Sequence, residues 1–167
     1  MAFTFDTAAV LPGGVMLYFA FGSNMLTSRL QARVPSATPV GRAFLQGHQL
    51  AFHKRGADGS AKCNANWTGQ PEHWLPGVIF RMDAGQLPAL DDAEGPRYDR
   101  IDVTVQNDND TLIEAFTYRA KPDAVMDGLQ PTATYYRYVI DGAIEHGLPE
   151  WHLEAIRHVS RYAFVAD

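Results

Sequence analysis

The sequence predicts an α+β fold: a mostly antiparallel, curled sheet of five to seven strands with a few helices outside it. Three observations predict it. Residues 15–21 form a continuous apolar-aromatic run, as a buried central strand would. Ile101, Val103 and Val105 alternate with Asp102, Thr104 and Gln106, and after the turn signal NDND the segment 112–120 returns, completing a hairpin with one wet face. The longer helical segments are confined to 133–146 and 150–160, late in the chain. With 167 residues, 46% of them hydrophobic and 20% charged, the chain has the apolar content for one domain core.

The elements follow in order. Pro12-Gly13-Gly14 punctuates the chain before the first strand, so residues 1–14 read as a tail or an added edge strand and 15–167 as a single domain. After the strand, Met25, Leu26, Leu30 and Val34 suit one side of a short helix that Pro35 stops. Residues 40–53, with Gly47 inside, suggest a bent or bulged strand pair. Loop signals dominate 56–74, with one short strand among them, and 78–82 is a further strand. Pro88 interrupts the helical start at 87–90, leaving about one turn. Gly147 suits the end of the first late helix, and Pro149 the start of the second.

Composition excludes several function classes. The formal charge is −5 and the basic residues are scattered, so no nucleic-acid partner is expected, although a small basic pocket is compatible with it. No apolar run approaches the roughly 20 residues that span a bilayer, and the first residues, with Asp6 and no basic start, are not expected to be a signal peptide. The single cysteine, Cys63, allows no internal disulfide. The expectation is a cytoplasmic protein with no membrane partner. His146, His152 and His158 stand six apart and do not share a helix face, so no metal site is expected. There is no G-x-S-x-G, and Cys63 sits in a loop without a base, so no activated nucleophile is evident.

Three stretches could carry chemistry. In YFAFGSNM, residues 18–25, a strand runs through Gly22-Ser23-Asn24 directly into a helix. Glycine reaches φ > 0 freely, Ser23 or Asn24 can cap the helix, and the free N–H groups there suit a carboxylate or a developing oxyanion. An ordinary capped junction would read the same way. In LDDAEGPRYDR, residues 90–100, Glu94 precedes Gly95-Pro96. Held in a pocket and desolvated, its pKa would rise from about 4.3 into a range useful for proton transfer; solvated, it would do nothing. Asp91 and Asp92 lie nearer the exposed side. In the third stretch, residues 131–149, Tyr135, Tyr136 and Tyr138 open a helix on which Val139, Ala143 and Ile144 face the core, and a tyrosine turned toward a pocket would donate to a carboxylate.

Taken together in this order, YFAFGSNM, then LDDAEG followed by Tyr98, then TYYRYVIDGAIEHGLP, the sequence resembles the gamma-glutamylcyclotransferase family (cyclotransferase-like, AIG2-like) from about residue 17 to 158. The resemblance implies a small curled, partly closed β-barrel with flanking helices. It also implies conversion of a γ-glutamyl amide into 5-oxoproline and a free amine, without a cofactor. Glu94 matches the family's essential carboxylate, and Tyr18, Gly22, Ser23, Asn24, Tyr98 and Tyr135 match substrate-lining positions. Phe21 stands where the family often has tyrosine. Asn24 sets the chain apart from the glutathione-specific branch, which usually has Gly-Ser-Leu. A small γ-glutamyl substrate is the expected partner, and a homodimer is left open. The rival reading is a non-catalytic small-carboxylate binding module on the same fold.

Overall fold

The computed structural model describes residues 10–167. Among these are seven strands: β1 (Val15–Ala20), β2 (Thr38–Gln46), β3 (His48–Arg55), β4 (Ala61–Trp67), β5 (Trp74–Asp83), β6 (Tyr98–Asn107) and β7 (Leu112–Ala120). Four α-helices accompany them: α1 (Thr27–Arg33), α2 (Leu87–Glu94), α3 (Ala133–Glu145) and α4 (Glu150–Val159). Five strands close a barrel in the order β1-β5-β2-β6-β7. A ring of five cannot alternate direction all the way round, so one pair must be parallel. That pair is β7 with β1, joined at Tyr18 and Phe116, and the other four are antiparallel. The barrel is thus closed rather than partly closed.

Both faces of its sheet bury aromatic rings. Phe19, Phe80 and Phe116 are fully buried, and the rings of Tyr18 and Phe116 stack with centroids 5.2 Å apart. Each such side chain contributes about 1.5–3 kcal/mol of transfer free energy. Gly77 on β5 is needed for closeness: a Cβ there would stand 2.5 Å from the Ala20 carbonyl and 2.6 Å from the Phe19 ring.

Strands β3 and β4 pair only with each other, in a separate two-stranded sheet. The expected strand pair over 40–53 is therefore corrected. Gly47, at φ 76°, turns the chain out of the barrel, and the strands on either side of it join different sheets. Pro88 is corrected too. It occupies the first turn of α2, where a missing N–H costs nothing, so the helix runs eight residues and ends on Glu94. Strand β5 runs longer than 78–82, from Trp74 through Pro76 and Gly77. Ile144, expected in the core, is 52% exposed, while Val139 and Ala143 are buried as expected. The tail or edge-strand reading of 1–14 lies outside the described residues for 1–9; Leu11 bridges to Val15 across the Pro12–Gly14 turn.

Helix α3 positions the first loop. Thr132 caps it by accepting from the Tyr135 amide at 3.1 Å, and Gly142 lets the helix pack against the backbone of Met25 and Leu26. Glu145 of α3 in turn accepts from the Thr27 amide, at 3.1 Å, satisfying a free donor at the start of α1. No described helix is long and apolar enough to cross a membrane.

Candidate active site

The Gly-Ser-Asn junction folds as one turn of 3-10 helix, Ser23–Met25, between β1 and α1. Two expectations about it are corrected. Neither Ser23 nor Asn24 caps a helix with its side chain, and α1 starts only at Thr27. Gly22 does not use positive φ; its φ is −117°. Glycine is favoured there for closeness: a Cβ would lie 3.0 Å from the Cys63 Cβ, a tight contact, and 3.6 Å from the Tyr135 hydroxyl. Among the described residues, the amides of Gly22, Ser23 and Asn24 have no protein acceptor. The turn keeps three donors in hand.

Those donors border a small chamber of about 30 Å³, lined by Tyr18, Phe21, Gly22–Asn24, Cys63, Glu94, Tyr98, Tyr118 and Tyr135. All seven residues singled out in the sequence line this one cavity. Tyr118 and Cys63 do so as well and were missed. Cys63 is not in a loop but in β4, and its signal was the run of small alternating residues Ala61, Cys63, Ala65 on a buried face.

Glu94 is held at the C-terminal end of α2, where Gly95 at φ 82° ends the helix and Pro96 prevents its continuation. The Asn24 side-chain amide donates to the Glu94 carboxylate at 2.6 Å and to the Tyr18 hydroxyl at 3.1 Å, while Arg33 donates to the Asn24 carbonyl at 3.3 Å. Asn24 therefore works through its side chain, as a bracket between the first loop and the carboxylate. Burial raises the Glu94 pKa; Arg33, Lys54 and the Asn24 hydrogen bond pull against that rise. It is partly buried, and what remains exposed faces the cleft.

The tyrosines divide by what they do with the hydroxyl proton. Tyr98 donates to the Cys63 carbonyl at 2.6 Å, and Tyr118 donates to Asp91 at 2.6 Å. Tyr135 accepts from the Cys63 amide at 2.9 Å, and Tyr18 accepts from Asn24. Among the described residues, Tyr18 thus keeps an O–H for a ligand, while the Tyr135 hydroxyl also lies against the Cys63 thiol. Burial pushes all four well above the ordinary phenol range, so they stay neutral donors. The Cys63 thiol, pushed up to about 12 by burial, is no nucleophile at neutral pH; its main chain positions the two tyrosines.

Through Ser23, Glu94, Tyr98 and Tyr135 the chamber opens into a larger outer cleft of about 450 Å³. Arg29, Arg33, Lys54, Lys62 and Arg97 line this cleft, together with Asp92. Burial pulls the Lys54 ammonium below its ordinary pKa, with Glu94 acting against it. Among the described residues, no cluster of three or more His, Cys, Asp or Glu side chains could hold a metal ion.

Comparison with known proteins agrees with this geometry. The chain is 32% identical over 147 residues to the gamma-glutamylcyclotransferase of Bos taurus, covering 82% of this chain and 74% of that one. The chain belongs to the gamma-glutamylcyclotransferase family. The Homo sapiens gamma-glutamylcyclotransferase is 30% identical over 153 residues, covering 86% and 78% of the two chains. A solved gamma-glutamyl cyclotransferase superposes with a TM-score of 0.81 at 27% identity, over 92% of each chain. The AIG2-like family matches residues 75–156, from β5 to α4. Membership of the cyclotransferase family decides between an enzyme and an idle binding module in favour of the enzyme.

Proposed function

We propose that this cyclotransferase closes a γ-glutamyl amide into 5-oxoproline and releases the amine, with Glu94 as the single proton carrier. The observation that supports this best is the Asn24–Glu94 hydrogen bond, which fixes a desolvated carboxylate over a chamber bordered by unused backbone amides.

The substrate's α-ammonium, of pKa near 8, first gives one proton to Glu94. The freed amine attacks the γ-carbonyl carbon, and the new C–N bond closes a five-membered ring. Glu94 passes its proton to the leaving nitrogen as the old C–N bond breaks. It then takes the second proton from the ring nitrogen, and the released amine ends protonated. Two protons leave one nitrogen, two reach the other, and no water is consumed. The protein supplies no nucleophile. Holding amine against carbonyl exploits intramolecular reach, which in well-oriented cases lowers the barrier by roughly 7–11 kcal/mol.

The unused amides of Gly22–Asn24 serve the substrate's α-carboxylate and the developing oxyanion in a shared role. Tyr18 adds a neutral O–H donor, and Tyr98, Tyr118 and Tyr135 wall the chamber. Release of 5-oxoproline from a panel of γ-glutamyl dipeptides and amines tests the reading. Glu94→Gln is expected to lower turnover at least about 10²-fold while ligand binding persists. Wild-type turnover in that variant would remove Glu94 from the role.

A further inference from the structure

The outer cleft carries more positive charge than the chemistry just described requires. Of its five cations, Lys62 is engaged by Asp58 at 3.4 Å. The remaining four, Arg29, Arg33, Lys54 and Arg97, face two carboxylates of the same cleft, Asp92 and Glu94.

Lys54 is the most telling of them. It is only 5% exposed, and among the described residues no carboxylate lies within ion-pair distance of it. Its ammonium sits 4.2 Å from the centre of the Tyr98 ring, beside the doorway, and Lys62 stands in the same way 4.5 Å from the Tyr135 ring. A lysine is almost never buried unpaired, because stripping the ammonium of water costs more than a ring face returns. Arg29, packed 4.2 Å from the Tyr138 ring, keeps a buried Nε without an acceptor. Two cations on different elements, β3 and α1, thus border one cleft with unmet demand for an anion.

We infer that the outer cleft binds the leaving amine by its negative charges, and that the preferred substrates are γ-glutamyl amides of an acidic amino acid. This rests on the chamber being the glutamyl site, since only then does the leaving group project through the doorway. The surplus decides the number of charges. One α-carboxylate would neutralise half of it, and a leaving residue with a second carboxylate matches it. A leaving amine without a carboxylate would meet bare cations, and a cationic one would be repelled.

Three probes test this: γ-glutamyl-glutamate, γ-glutamyl-alanine and γ-glutamyl-propylamine. Their kcat/KM values for 5-oxoproline release from the wild-type enzyme are expected to fall in that order, by about tenfold or more from first to last. The spread should shrink when ionic strength is raised toward roughly 1 M. In Lys54→Met the ratio of the first probe to the last is expected to drop toward one; should that variant not fold, Arg29→Gln is expected to reduce the same ratio. Calorimetric binding of the three probes to Glu94→Gln gives the same order without any chemistry. If none of the probes is turned over but the binding order holds, the catalytic reading fails and this inference stands. Equal or reversed affinities for the three would overturn it.

Discussion

Tyrosines and a carboxylate line the inner chamber, whereas arginines and lysines line the cleft outside it, and four residues belong to both. Inside, a buried phenol and free backbone amides offer neutral donors of fixed direction. Outside, long cationic side chains offer charge with less fixed geometry. Glu94 stands on the boundary, and its chemistry depends on being there. Deeper in, desolvation would hold its proton too tightly; further out, solvent and cations would leave it a weak base.

Breaking the boundary residue gives the largest effect. Beyond its loss of turnover, Glu94→Gln is expected to melt at a higher temperature than wild type at neutral pH. The sign follows from the raised pKa: the folded protein binds the Glu94 proton more tightly than the unfolded chain does. The stability Glu94 contributes is present in acid and is lost as pH rises through its folded pKa. A neutral isostere escapes that loss, so melting curves of the two proteins should converge as pH falls. A lower melting temperature for the variant at neutral pH would contradict the desolvation of Glu94.

Next in size is the bracket. Asn24→Leu removes the 2.6 Å hydrogen bond to Glu94 and leaves Arg33 without this acceptor. Losing a charge-assisted bond of about 1.5–3 kcal/mol raises the carboxylate's pKa further. The acid limb of kcat/KM against pH should move to higher pH, with roughly tenfold lower activity near neutrality. An unmoved limb would show that Asn24 does not tune the base.

A filled chamber sharpens the comparison from the other side. Gly22→Val pushes a branched side chain at Cys63 and the Tyr135 hydroxyl, and KM for any γ-glutamyl substrate should rise about tenfold or more. The smallest effect belongs to the chamber's outer support. Tyr118→Phe deletes the 2.6 Å bond to Asp91, and the denaturation midpoint should fall by the equivalent of about 1 kcal/mol with an unchanged m-value.

Much of this architecture was legible in the chain. The period-two alternation over 101–105 and the NDND turn signal sit in the β6–β7 hairpin, and the two late helices form where their spacing put them. All the candidate site residues line one cavity. The errors at the first loop share a cause. Gly22 was expected at positive φ, yet its preference for glycine comes from Cys63, which stands forty-one positions along the chain. Asn24 was expected to act on its own helix, yet it serves Glu94, seventy residues away. Lys54, Arg29 and Tyr118 gave no signal at all, because a cation or a phenol on a half-buried strand or helix is the ordinary case.

The sequence by itself therefore determined where most of the strands and helices lie, where the tight turns fall, and which loop and which carboxylate were candidates. Those are properties of neighbours two to four positions apart, and hydrophobic period, proline and glycine report them directly. Only the tertiary structure decided that the barrel closes through one parallel pair, that Asn24 aims Glu94, and that a basic cleft lies beyond the doorway. Each of these depends on side chains distant in sequence meeting across a packed core, where burial and charge act through space and leave no local pattern to read.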